Sequence, residues 1–413
     1  MMAGGLFART LLHMGRESVE LGNGLVSAIV NREGSMTPVF GLRREGQLLN
    51  AHWIPPFRTE AGAPWVAAKG EGFWKSKLLY DIAGDFLCGP NFGPACPVDG
   101  AAIPAHGWTS NESWSLDKIG VDEEAGFAYA DFGLEPSDTA MPLGWKRREL
   151  VFEGLGVLQS STLVRNGGNK PIAINIGRHA TLGPPFLEAG CRISLAADRF
   201  ATPPSPSEFS GTGRLVEGAE FASLAEAPLR KGGRVDLGLV PGLIGFTDLV
   251  AGAIPAERNL GWSCVVNPRL GLAYVSYFPG RSGLPAGEIA LDFNALWMQY
   301  GGRRFTPWAE TEGGEDRTLC LGPENAVSAF ANGLAYARKE PELLGNPTLV
   351  VVPAKGELRL HYGSALVQLD PELLREGVLD IQEGPKGALI LKGRRASQSV
   401  EATADFNVAR RLL

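Results

Sequence analysis

Two of the five histidines sit where a side chain can be aimed at a ligand. His179 lies in NIGRHATLGPPFL (175–187), where a strand over 170–176 runs into a Gly/Pro-rich loop. A strand end feeding a rigid loop holds a side chain toward a cleft, although a lone histidine there more often bonds a loop carbonyl. Glu324 lies in LCLGPENA (319–326), where an apolar strand stops at Gly-Pro and a carboxylate follows at the start of a helix. That carboxylate either does chemistry or stabilises the helix dipole.

The second histidine, His106, belongs to PAHGWTSNESW (104–114), with Trp108, Trp114, Asn111 and Glu112 close by. Sugars present apolar C–H faces to aromatic rings and hydroxyls to polar side chains, so this grouping suits carbohydrate as well as it suits a buried core-capping loop. In LWMQYGGR (296–303), Trp297 and Gln299 share a strand face by the two-residue period, and Arg303 follows the turn. Asp85 and Asn91 sit in GDFLCGPNFG (84–93), among residues that usually serve turns. No two histidines have metal-ligand spacing, and Cys88 and Cys96 lack a second pair, so neither a metal nor another cofactor is expected. A nucleophile elbow, a phosphate-binding loop and a dinucleotide fingerprint are all missing.

These residues have to be positioned by strands. Gly 54 and Pro 29 make about a fifth of the 413 residues, against an ordinary share of about 12%. They are scattered, as in a chain of many short strands and turns. Residues 19–30 read as a hairpin around Gly-Asn-Gly; 156–166, 270–279, 348–353 and 357–369 read as further strands. A helix is expected over 328–344, with Phe330, Leu334 and Ala337 on one face and Pro341 ending it, and a short one at Asp370-Pro371. No βαβ alternation appears, so the fold class is all-β. Residues 51–107 form a loop-rich stretch too long to be a mere connection.

Net charge is −6 and basic residues form no run beyond Lys146-Arg147-Arg148, which argues against nucleic acid. No apolar run reaches the ~18 residues of a membrane span. The five cysteines are odd in number and mostly far apart, and the N-terminus lacks the parts of a signal peptide. Both point to a cytoplasmic protein with reduced thiols.

Taken in order, these segments resemble the aldose 1-epimerase (galactose mutarotase-like) superfamily, in an uncharacterised bacterial branch. TLVRNGGNKPIAINIGRH (162–179) resembles that family's strand, N-x-x-x-K-P turn and strand ending in the catalytic histidine. Pro104–Gly107 resembles its sugar-binding His-Gly, and 297–302 with 319–337 resembles its closing strand and the corner carrying the catalytic glutamate. The resemblance spans about residues 17–360. It implies a single domain over 1–413, a large twisted antiparallel β-sandwich, with 361–413 as an extension packed on it.

The resemblance also implies a small-molecule sugar as partner and a cofactor-free reaction. His179 would be the acid, Glu324 the base, and His106 a substrate-orienting residue. Asp85, Asn91, Trp108, Trp297, Gln299 and Arg303 would be further substrate-binding candidates. The carboxylate takes the proton of the anomeric hydroxyl while the histidine protonates the ring oxygen, on opposite sides of one C–O bond. This chain departs from the family at one point. The family's glutamate directly follows the strand, and here that place is Gly322. Glu324 stands two residues later, with Glu310 and Glu312 as substitutes. A catalytically silent sugar-binding protein and an enzyme that cleaves a glycosidic bond are the rival readings. For the expected chemistry His179 needs a carboxylate to keep it partly protonated, and Arg178 must point away.

Overall fold

The computed structural model describes residues 5–63, 76–310 and 314–412. Two large antiparallel sheets face each other. The first has eight strands, in the order 192–195, 260–267, 272–279, 357–368, 157–166, 143–152, 127–134 and 115–122. The second has seven: 220–221, 199–201, 246–253, 293–300, 319–327, 176–180 and 85–88. A five-stranded meander over residues 7–50 completes the N-terminal part. Helices are few and short. Among the described residues none is long and apolar enough to cross a membrane.

The seven-stranded sheet shows how alternation sorts residues into two environments. Leu87, Ile176, Leu296, Met298 and Leu321 face inward, into the core shared with Leu158, Tyr274, Leu360 and Tyr362 of the eight-stranded sheet. The residues one position away, Phe86, Cys88, Ala295, Trp297, Cys320 and Ala326, face the other side. There they pack with Trp53, Ile82, Phe92, Phe209, Trp308 and Phe330 from loops. A period of two separates the two clusters.

Three expectations need correction. The strand 357–368 pairs on both sides inside the eight-stranded sheet, so a boundary near 360 would cut a central strand. What packs on the outside begins later: a three-stranded sheet over 380–401 covers Trp262, Val275 and Tyr277 with Ile381, Leu389 and Leu391. The helix expected over 328–344 is a single turn, Leu334–Ala337. Phe330 and Ala331 have φ near +54° and Gly333 +86°, which breaks helical continuity before it. The helix at Asp370-Pro371 is present as Pro371–Glu376 with proline at its start. The third correction is that neither key segment ends where Gly or Pro suggested. The strands Ile176–Ala180 and Leu319–Val327 run through His179 and Glu324.

Candidate active site

His179 and Glu324 are cross-strand neighbours. Arg178 pairs with Asn325, and Leu182 bridges Leu321 in the same register. Carrying that register across the gap sets His179 opposite Glu324 and Ala180 opposite Pro323. Pro323 has no N–H to give, which is why the ladder opens at this point. The side chains meet in the opening: His179 Nε2 lies 3.2 Å from Glu324 Oε1. The other imidazole nitrogen, Nδ1, lies 3.2 Å from Thr181 Oγ1. Phe86, opposite His179 on the next strand, stacks on the imidazole at 4.6 Å between ring centroids. Trp297 meets it edge-on at 5.6 Å.

The reverse side of the same strands is clamped. Arg178 points into the sandwich, away from His179. Its guanidinium ion-pairs Asp85 at 2.6 Å and bonds Tyr274 at 3.0 Å and Ser276. The Ser276 hydroxyl in turn donates to Asn325 Oδ1 at 2.7 Å. One serine on the far sheet thus ties the residues adjoining both His179 and Glu324.

A cavity of about 660 Å³ opens over this pair, lined among others by His106, His179, Trp297, Glu324 and Glu208. His106 lies 5.5 Å from His179 between ring centroids, and its Nδ1 sits 3.4 Å from Cys88 Sγ. Its backbone is left-handed (φ 58°), which costs a non-glycine residue about 1–2 kcal/mol. Asp85, Asn91, Trp108, Gln299 and Arg303 lie outside the lining. Asp85 holds Arg178 in the core. Asn91 accepts from Leu334 N at 2.7 Å and donates to the carbonyl of Pro94 at 2.8 Å, which shapes the loop forming one wall. Trp108 is buried in the main core. Gln299 accepts from Arg303 Nε at 2.6 Å, and Arg303 reaches Glu208 at 3.0 Å. Arg303 also lies 4.8 Å from the Trp308 ring, which packs against Trp297 of the lining. The side chain of Glu310 and all of Glu312 lie outside the described residues.

Glu208 is the residue sequence reasoning missed. It belongs to a Pro/Ser-rich loop with no motif, and Trp297 Nε1 donates to its Oε1 at 3.3 Å. Only the three-dimensional approach of residue 208 to 297 and 303 reveals it.

Burial sets the proton balance. It lowers the His179 imidazole to about 4 and raises the Glu324 carboxyl well above its ordinary value, with the Glu208 charge adding to the latter. His106 is lowered to about 3, by burial and by His179. A dry site disfavours net charge, so the His179–Glu324 pair holds one proton between its two members. Glu324 Oε2 is buried with no hydrogen-bond partner. Among the described residues no group of three or more His, Cys, Asp or Glu could hold a metal ion.

Solved structures share this architecture. A candidate aldose 1-epimerase from Klebsiella pneumoniae superposes with a TM-score of 0.61 at 14% identity, covering 90% of this chain and 89% of its own. A galactose mutarotase-like protein from Clostridium acetobutylicum gives 0.55 at 13%, covering 88% and 99%. A candidate mutarotase from Salmonella typhimurium gives 0.53 at 12%, covering 89% and 96%. The chain has the galactose mutarotase-like fold, and at these identities the likeness is one of fold. No protein-family model and no curated protein sequence matches it.

Proposed function

We propose that the chain binds a reducing sugar in this cavity and interconverts its anomers by acid/base ring opening. The observation that carries the reading is the 3.2 Å contact between His179 and Glu324 in the cavity lining, with the second Glu324 oxygen unpartnered. The two sugar oxygens involved, O1 and O5, are both bonded to C1. An acid and a base serving them must therefore be neighbours.

In the reaction, Glu324 removes the O1 proton as His179 Nε2–H protonates O5. The C1–O5 bond breaks, the C1–O1 bond becomes the aldehyde carbonyl, and rotation about C1–C2 turns the other face toward O5. On closure O5 attacks C1 and gives its proton back to His179 Nε2, while Glu324 returns its proton to O1. Shifting the shared proton from Glu324 to His179 creates the reactive form, so none need come from solvent. His106 and Glu208 offer hydrogen bonds to neighbouring hydroxyls, and Trp297 offers an apolar face.

The test is anomer interconversion of several aldoses, followed by polarimetry or NMR against the spontaneous rate. Acceleration abolished by His179→Asn and by Glu324→Gln supports the reading. The silent sugar-binding protein draws on the same contact, since an imidazole and a carboxyl that satisfy each other have less to offer a ligand. A protein that binds sugars and accelerates none of them is that binder.

A further inference from the structure

The polar side chains that line the cavity are His106, His179, Glu208 and Glu324, with Ser76, Ser207 and Asn332 from loops. The His106 and His179 rings lie 5.5 Å apart, Glu324 touches His179, and Glu208 is held against Trp297. Most of the remaining lining is apolar and includes Leu79, Ile82, Pro206, Phe209, Pro104 and Phe330. Among the described residues no lysine or arginine lines the cavity to meet a phosphate or carboxylate on the sugar.

A hexose carries a hydroxyl on almost every carbon. A hydroxyl pressed unpartnered against an apolar wall costs about 1–3 kcal/mol, whereas an apolar group in that place is favoured by the area it removes from water. The volume, about 660 Å³, falls in the range of sites that enclose a drug-sized ligand, more than one sugar ring. We infer that the preferred ligand is a reducing sugar bearing an apolar substituent remote from C1, as in deoxy, O-alkyl or O-acyl aldoses. This rests on the anomer-interconverting reading of the same site and narrows its substrate class.

The experiment compares D-glucose, 6-deoxyglucose, 6-O-butylglucose and glucose 6-phosphate, measuring kcat/KM for anomer interconversion by NMR and binding by calorimetry. The butyl ether is expected to exceed glucose by roughly tenfold or more, the deoxy sugar to lie between them, and the phosphate to fall below glucose. In Leu79→Asn the ratio of butyl ether to glucose should shrink toward one. Glucose equalling or surpassing both apolar sugars overturns the inference and leaves the anomer reaction intact. If no sugar is accelerated but the butyl ether binds about tenfold tighter than glucose, the ligand class stands and the reaction falls. If none of the four sugars binds, both are overturned.

Discussion

Gly322 and Glu324 stand two residues apart on one strand and therefore present to the same face of the sheet, but only Glu324 lies opposite His179. The two-residue displacement of the carboxylate, about 7 Å along the strand, keeps it over the cavity. A Cβ at 322 would lie 3.2 Å from both the Trp297 Cβ and Glu324 Oε1, too close for an added side chain to fit without displacement. Glu324→Gln is predicted to lower kcat by roughly 10²–10⁴-fold. Adding Gly322→Glu to that variant is predicted not to restore it. Restoration in the double variant would show that the carboxylate works from the earlier position.

The acid and base should reveal themselves in a pH–rate profile. Activity requires one proton on the His179–Glu324 pair. Below the lowered histidine value of about 4 the pair holds two protons and has no base; above the raised glutamate value it holds none and has no acid. The acid limb of kcat/KM is thus expected near pH 4, with a plateau through neutrality. A limb near 6.5, the value of an exposed imidazole, would contradict the dry pair.

His106 offers a test that separates backbone from side chain. Asparagine tolerates the left-handed conformation, so His106→Asn should raise KM with a smaller effect on kcat and little loss of thermal stability. His106→Val removes the same imidazole and should cost about 1–2 kcal/mol more in denaturation. Equal stability of the two variants would argue against strain at this residue.

Glu208→Gln keeps the shape of the loop and removes a charge from the cavity. It is predicted to raise KM for a bound sugar while leaving kcat within a few-fold of wild type. Its effect on Glu324 provides a second readout: the Glu208 charge helps raise that carboxyl, so the alkaline limb of the pH profile should move down. An unmoved limb would place Glu208 too far from Glu324 to matter.

The other buried histidines predict a stability effect. His52 is lowered to about 4, first by burial, with Nδ1 2.7 Å from the Thr37 carbonyl and Nε2 3.2 Å from Tyr274 Oη. The unfolded chain binds a proton near pH 6.5 and the folded one only near 4. The stability this neutral ring contributes is therefore present above 6.5 and lost as pH falls toward 4. His52→Gln is expected to flatten the slope of unfolding free energy between those values by about 1.4 kcal/mol per pH unit. An unchanged slope, measured by urea denaturation across that range, would mean that the ring already titrates normally when folded.

What the sequence made legible follows from which forces are local. The strands at 157–166, 272–279 and 357–368 were legible because their signals are local, alternation in the first and an apolar, β-branched run in the second. The segments holding His179, Glu324, His106 and Trp297 were also legible, through their order along it. Pro323 misled because a proline that reads as a stop signal was tolerated inside a sheet, where the ladder opens toward a cavity. The 328–344 helix failed because its apolar spacing serves burial of Phe330 and Leu334 in separate turns. Asp85, Asn91, Gln299 and Arg303 were found as polar residues near the site, but their hydrogen bonds point to Arg178, loop carbonyls and Glu208. Direction of a polar side chain depends on partners far along the chain. Glu208 was invisible for the same reason.

The Ser276 clamp has a consequence for change over time. The strands that carry His179 and Glu324 are fixed from behind, by Arg178, Asp85 and Asn325, none of which borders the cavity. Much of the wall, by contrast, comes from segments outside the two large sheets, such as 76–82, 93–95, 104–106 and 203–209. Those segments can be lengthened, shortened or recoloured residue by residue without slipping the register that joins acid to base. The fold separates a conserved-by-geometry engine from an exchangeable casing, so a new ligand can be acquired by drift in the casing alone.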